Sequence, residues 1–196
     1  MSKSALVATS AQRNRRASIT DAAAVGLLTA HDAGTDLVPS SIMVSWSAFA
    51  DEEPEMAEAG RAIWADHVVM YLATIRPDGS PRVHPVVPVL VDGHVCVAIP
   101  QSSPKWRDLD RDPRCVLHAL PGARDDEFVL RCRAQPAEHL RKDMRAAADH
   151  RVHDGDRLFA FDLEQVDLGH WEHIGEPDTY SVRYRWVPGS ITQVKP

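Results

Sequence analysis

Between positions 101 and 109 the chain reads Gln101-Ser102-Ser103-Pro104-Lys105-Trp106-Arg107-Asp108-Leu109. This block follows a strand-like run and opens a helical one. Ser103 suits an N-cap, Pro104 the first helical position, and Lys105 comes next. A helix start presents unpaired backbone N–H groups and the positive end of the dipole. Two hydroxyls and an ammonium group added there make a compact site for phosphate. The same residues also describe an ordinary capped helix with a solvated lysine, and the block alone does not choose between the two.

Few other residues compete for chemistry. Two of the histidine pairs, His150/His153 and His170/His173, stand three positions apart. On a helix that spacing can put both rings on one side; on a strand it puts them on opposite faces. Neither pair has the Cys or carboxylate arrangement of a standard zinc signature, so both read as polar loop residues and no metal is expected. His84, in a proline-rich strand, could hydrogen-bond a ligand or act as an acid. An outward-facing strand histidine describes it equally well, because neighbouring side chains alternate faces. No catalytic triad is evident.

Composition narrows the function further. The chain has 196 residues with 44% apolar and 26% charged, as in a globular protein of one ordinary domain plus an appendage. A domain of that size needs neither disulfide nor metal to hold it. A net charge of −6 and a pI near 5.9 argue against a nucleic-acid-binding role, which draws on accumulated positive charge. No run of 18 apolar residues exists, so no membrane span is expected. Cys96, Cys115 and Cys132 are an odd count without Cys-x-x-Cys spacing. They read as small buried residues of a reducing, cytoplasmic compartment.

Residues 1–42 stand apart, with net charge +1 against −7 for the rest. Arg15-Arg16 ahead of the apolar run 22–30 invites a twin-arginine export reading, but Asp21 intervenes and the run is short. A loosely structured extension is the favoured reading. A third is that the product begins at Met43. The expected organisation is therefore a poorly structured segment 1–42 and a folded domain 43–196.

The folded part must position the 101–109 block. Pro54 to His67 reads as a helix with Met56, Ile63 and Trp64 on its apolar stripe. Strand-like runs follow at 67–75, 81–91 and 94–99, joined by Asp78-Gly79 and Asp92-Gly93, both strong hairpin signals. Pro81, Pro85 and Pro88 cannot donate ladder hydrogen bonds, so one side of that strand must face something other than protein. After the short helix at 104–111 come strands at 114–120 and 126–133. An amphipathic helix is expected at 136–149, with Leu140, Met144 and Ala148 at four-residue spacing. Two more strands are expected near 157–168 and 179–187. Seven short strands and three helices make a mainly β protein, an antiparallel barrel or sandwich with a few helices.

This order resembles the pyridoxamine-5′-phosphate-oxidase-like family of FMN-binding split β-barrels, which includes deazaflavin F420-dependent reductases. The resemblance spans about 44–187. It rests on Ala73-Thr74-Ile75-Arg76-Pro77-Asp78-Gly79-Ser80-Pro81-Arg82-Val83-His84-Pro85-Val86 and on Lys105-Trp106-Arg107-Asp108-Leu109 through Leu117-His118. It implies that Arg82, Val83, His84, Pro85 and Val86 line the isoalloxazine or its side chain. Ser102, Ser103 and Lys105 would meet the phosphate, with Trp106 and Arg107 beside them. Many members carry Arg where this chain has Ser103, so Arg82 or Arg107 would compensate. The resemblance further implies a homodimer that shares the site between subunits, and an oxidoreductase acting on a small organic substrate. There the flavin carries the hydride and the protein needs no nucleophile. FMN is the expected cofactor, with F420 the alternative and haem behind both. The second functional reading is a non-catalytic protein of the same fold that stores or senses flavin, haem or pyridoxal phosphate. The tail Arg183-Tyr184-Arg185-Trp186-Val187-Pro188-Gly189 lacks the substrate segment of the vitamin-making oxidase, so pyridoxamine phosphate is not the first substrate.

Overall fold

The computed structural model describes residues 43–121, 125–148 and 152–194. The expectations for 1–42 and for His150 lie outside these residues. Among the described residues one antiparallel sheet of nine strands carries the fold. Four short α-helices pack on it: α1 (Trp46–Glu52), α2 (Pro54–Ala65), α3 (Lys105–Arg111) and α4 (Arg141–Ala147). The strands are β1 (Met70–Ile75), β2 (Pro81–Val86), β3 (Val89–Val91), β4 (His94–Ile99), β5 (Arg114–Ala119), β6 (Glu127–Pro136), β7 (Arg157–Glu172), β8 (Tyr180–Val187) and β9 (Ser190–Val194). Their order is β2-β1-β5-β6-β7-β4-β3, with β8 added to β7 and β9 to β8.

The split lies in β7. Its first part, Arg157 to Phe161, pairs with β4, and its last part, Val166 to Glu172, pairs with β8, while β6 runs along the other side of both. Between the two partners Val44 fills the gap, donating to the Leu163 carbonyl at 3.2 Å and accepting from its N–H at 2.7 Å. The β6–β7 register shifts there: Arg131 faces Gln165 but Cys132 faces Leu163, which leaves Glu164 as the extra residue. A bulge bends a strand and raises its twist, which lets β7 leave one partner and join another.

Sequence-based expectations need adjusting in four places. The run 81–91 is two strands, because the chain turns at Val87-Pro88 and β3 pairs with β4. The helix at 136–149 is a 3₁₀ turn, Glu138–Leu140, followed by α4, although Leu140, Met144 and Ala148 are all buried as expected. Helix α1 and strand β9 were not anticipated. Both Asp-Gly hairpins form; Asp92 and Gly93 both have positive φ, at 48° and 72°, as the tight two-residue turn between β3 and β4 requires.

The core is aromatic where the first helices plug the barrel. Ser45 caps α1 by accepting from the Ala48 N–H at 3.2 Å. Trp46 meets Phe49 and Phe128 edge to face at centroid distances of 5.4 and 6.1 Å, and Phe49 lies 4.7 Å from Trp186. Edge-on contacts of this kind add to burial. Gly60 of α2 sits on Phe128 so closely that a Cβ there would lie 2.2 Å from the ring. Cys96, Cys115 and Cys132 are buried free thiols. Burial pushes the Cys96 thiol up to about 12, the mark of an inert core cysteine.

Candidate functional site

Among the described residues strand β2 pairs only with β1, so one of its edges carries no described strand. The ladder shows which groups face that edge. Arg76 donates to the Ser80 carbonyl at 2.9 Å, closing the hairpin, and bonded pairs then recur every second residue. Residues 74, 72 and 70 therefore exchange bonds with 82, 84 and 86, while 81, 83 and 85 turn their backbone groups away from β1. The nitrogens of Pro81 and Pro85, which have no hydrogen to donate, fall on the open edge. The prolines thus cost the sheet nothing, and the Val83 N–H and C=O groups are left facing outward.

Side chains alternate in step. Val83 and Pro85, with Tyr71 and Ala73 opposite them, point to the outer face; Val83 is 58% and Tyr71 44% exposed. Val116 and His118 of β5 continue that face. Arg82, His84 and Val86 point inward. Val86, expected beside the ligand ring, instead belongs to the core, and its backbone is engaged with β1.

Helix α3 supplies the other half. Its start differs from the expectation: Pro104 is the N-cap, Lys105 the first helical residue, and no side chain caps it. Ser103 is therefore no cap; its backbone N–H closes a turn onto the Pro100 carbonyl at 2.9 Å. Ser102 is exposed and Ser103 half-buried in the same turn. The Lys105 ammonium group reaches across to the β2 edge and donates to the Pro85 carbonyl at 3.3 Å. Half-burial holds its pKa below the ordinary lysine value. Among the described residues its partner is a neutral oxygen.

The remaining guanidinium groups are committed. Arg82 Nε donates to Asp108 Oδ2 at 2.6 Å, the Thr74 hydroxyl donates to the same oxygen at 3.0 Å, and Arg111 stands 3.6 Å from Oδ1. Arg111 also donates to the Ile75 carbonyl. Asp108 is 2% exposed, so this is a buried, fully partnered carboxylate binding α3 to the β1–β2 hairpin. Arg107 lies 4.7 Å over the Trp106 ring and Arg157 5.2 Å from it. Trp106 donates from Nε1 to the Gln101 carbonyl at 3.0 Å and packs on the core. Arg82 is thus engaged by Asp108, whereas Arg107 is an exposed residue stacked over Trp106. Trp106 shapes the helix start by packing.

His84 lies between the two halves. Its pKa is held below the usual imidazole value, first by burial, then by the charges of Lys105, Arg82 and Arg76, with Asp108 opposing. The inner face of β2 and the start of α3 thus hold more positive charge than the local carboxylate balances. That signal was partly legible in Lys105. The saturation of Arg82 by Asp108, twenty-six positions away, was not. Beyond β2 the chain runs into a cleft of about 380 Å³, lined by Trp64, Val68, Val87, Pro88, Leu90 and Ala148 among others.

A family model described as pyridoxamine 5′-phosphate oxidase matches residues 56–174, more than half of the sequence. The chain belongs to the pyridoxamine 5′-phosphate oxidase family. Solved structures with the same fold include PhzG from Burkholderia lata 383 in complex with tetrahydrophenazine-1-carboxylic acid, at 15% identity and TM-score 0.54, covering 77% of this chain and 93% of that one. A pyridoxamine 5′-phosphate oxidase-related, FMN binding protein from Nostoc punctiforme PCC 73102 aligns at 15% identity and TM-score 0.52, covering 76% and 97%. A heme binding protein from Mycobacterium smegmatis aligns at 22% identity and TM-score 0.51, covering 66% of this chain but only 58% of its own length. No curated protein matches the sequence. At these identities the structures show the fold.

His170 lies near the end of β7 and His173 follows the strand. His170 stacks on Tyr184 at 6.4 Å and contacts Glu172, and His173 bonds Asp178 at 2.6 Å. Among the described residues no group of three or more His, Cys, Asp or Glu side chains is placed to hold a metal. Of the tryptophans, Trp46 and Trp186 are core residues and Trp64 packs against the core, whereas Trp171 is exposed. No helix among the described residues is long and apolar enough to cross a membrane.

Proposed function

We propose that this protein binds FMN along the open edge of β2 and serves as a flavin-dependent oxidoreductase on a small organic substrate. The observation that carries this reading is the Lys105 ammonium group, half-buried, resting on the Pro85 carbonyl with no carboxylate partner among the described residues. A terminal phosphate there replaces a neutral acceptor with an anionic one, and charge-assisted bonds are about twice as strong as neutral ones. The outward backbone groups of Val83 offer one donor and one acceptor to a ring edge. Val83 and Pro85 give that ring an apolar floor.

When bound, the flavin supplies the hydride chemistry, and the chain's residues bind, orient and exclude water. A second copy of the chain covers the face formed by Tyr71, Val83, Pro85 and Val116, closing a site that one chain leaves open. The cleft at Trp64, Pro88 and Leu90 gives the substrate a place near the end of β2. F420 offers a similar ring and a phosphate-linked chain and is the alternative cofactor.

Titration of the purified protein with FMN, followed by flavin fluorescence, tests the reading. Lys105→Ala is expected to weaken binding by about 1.5–3 kcal/mol, roughly ten- to a hundredfold. An unchanged dissociation constant places the phosphate elsewhere. FMN that binds but is never reduced or oxidised by any donor reassigns the protein to cofactor storage.

A further inference from the structure

His84 has a role that the proposed flavin site does not by itself require. Its neighbours can be counted by charge. On its own strand Arg82 shares the Asp108 carboxylate with the exposed Arg111, and the Thr74 hydroxyl donates to the same group. From the hairpin turn comes the exposed Arg76, and from α3 comes Lys105. Lys105 is anchored on the carbonyl of Pro85, the residue after His84. With Arg82 and Arg111 held at Asp108 and Arg76 exposed, Lys105 is the half-buried permanent cation that rests on a neutral oxygen. The next group able to add a positive charge is His84.

A phosphate diester carries one negative charge and is balanced by Lys105 alone. A phosphate monoester at pH 7.5 is largely dianionic, since its second pKa is near 6. Its second charge favours a second cation in the same half-buried place. Resting on the proposed flavin site, we infer that His84 makes the site selective for a terminal phosphate monoester over a diester, by taking up one proton from solvent when the dianion binds. In the free protein burial and then the surrounding cations lower the imidazole pKa and so disfavour its charged form. A bound dianion reverses the sign of the local field and favours the imidazolium, as an adjacent anion does for any histidine. The proton comes from the buffer and returns to it on release.

The probes are FMN, a monoester, riboflavin 4′,5′-cyclic phosphate, a diester with a single charge on the same ring system, and riboflavin, which has none. Calorimetry at pH 7.5 in two buffers of different ionisation heat is expected to show proton uptake with FMN and none with the cyclic diester or riboflavin. His84→Asn is expected to lower the preference for FMN over the cyclic diester about tenfold, the scale of one charge-assisted contact, and to abolish the uptake, leaving riboflavin affinity unchanged. His84→Arg restores the preference without uptake, because its charge is permanent. FMN binding without proton uptake, or with the same preference in His84→Asn, overturns this inference and leaves the flavin site standing. If no flavin binds, inorganic phosphate is titrated against the His84 ring resonances. A rise in the His84 titration midpoint then keeps the monoester site and removes the flavin, whereas no response removes both.

Discussion

The first residue and the midpoint of α3 carry opposite electrostatic designs. At Asp108 a buried carboxylate is saturated by the Thr74 hydroxyl and by Arg82 and Arg111. One turn earlier, Lys105 is half-buried on a neutral carbonyl, beside a histidine whose neighbours are mostly cationic. Folding energetics account for the first: a buried charge persists only when paired and hydrogen-bonded. They do not account for the second, which spends desolvation on a cation without pairing it. An arrangement that folding leaves unbalanced is one that a ligand can complete.

The largest test removes the saturated midpoint. Asp108→Ala leaves Arg82 inside the hairpin without its counterion and frees the link between α3 and β1. Breaking one partner of a buried pair costs about 3–5 kcal/mol, and urea unfolding should show a loss of that size. Asp108→Asn should fall between wild type and Ala, because the amide still accepts from Thr74 but no longer balances Arg82. A loss below about 1 kcal/mol for the alanine variant would dissolve the contrast between the two positions.

A second test asks whether the neighbouring core is as tightly determined as the Asp108 midpoint. Gly60 leaves no room for a Cβ against the Phe128 ring, which is itself packed on Trp46. Gly60→Ala gains helix propensity but forces ring or helix to shift, and overpacking of this kind costs about 1–3 kcal/mol. A lowered thermal midpoint with an unchanged fold by circular dichroism is the expected result. A stabilised variant would mean that α2 rides on the barrel more loosely than the contact implies.

What the sequence made legible follows the same division. Pro81 and Pro85 announced an unpaired edge because a missing N–H is a property of the residue itself, and the ladder places both nitrogens on that edge. Lys105 was legible because a lysine after Ser-Ser-Pro is a local pattern. The break at Val87-Pro88 was not, since it depends on β3 finding β4. The saturation of Arg82 depends on a carboxylate twenty-six residues ahead. Strand β9 has no apolar alternation to announce it, being exposed along Ser190 to Gln193, and exists through pairing with β8. The split in β7 needed Glu164 to be recognised as the extra residue opposite β6, which no single strand shows.

The smallest expected effect bears most directly on the unbalanced end. Burial depresses the Lys105 pKa below 10.5, so at neutral pH the unfolded chain holds this proton more favourably than the folded one. Below the folded pKa, stability therefore carries a penalty. As pH rises from the folded pKa toward 10.5 the unfolded state binds more protons, and that penalty is removed. Lys105→Met keeps the aliphatic stem, removes the ammonium and should change stability at pH 7 by no more than about 0.5 kcal/mol in either direction. The contribution of this one group to the alkaline rise should vanish with it. Urea unfolding of both proteins at pH 7 and at pH 10 separates the terms. If Lys105→Met instead destabilises the protein as strongly as Asp108→Ala, the ammonium is a structural member of the hairpin, and the case for a ligand at this end of α3 loses its footing.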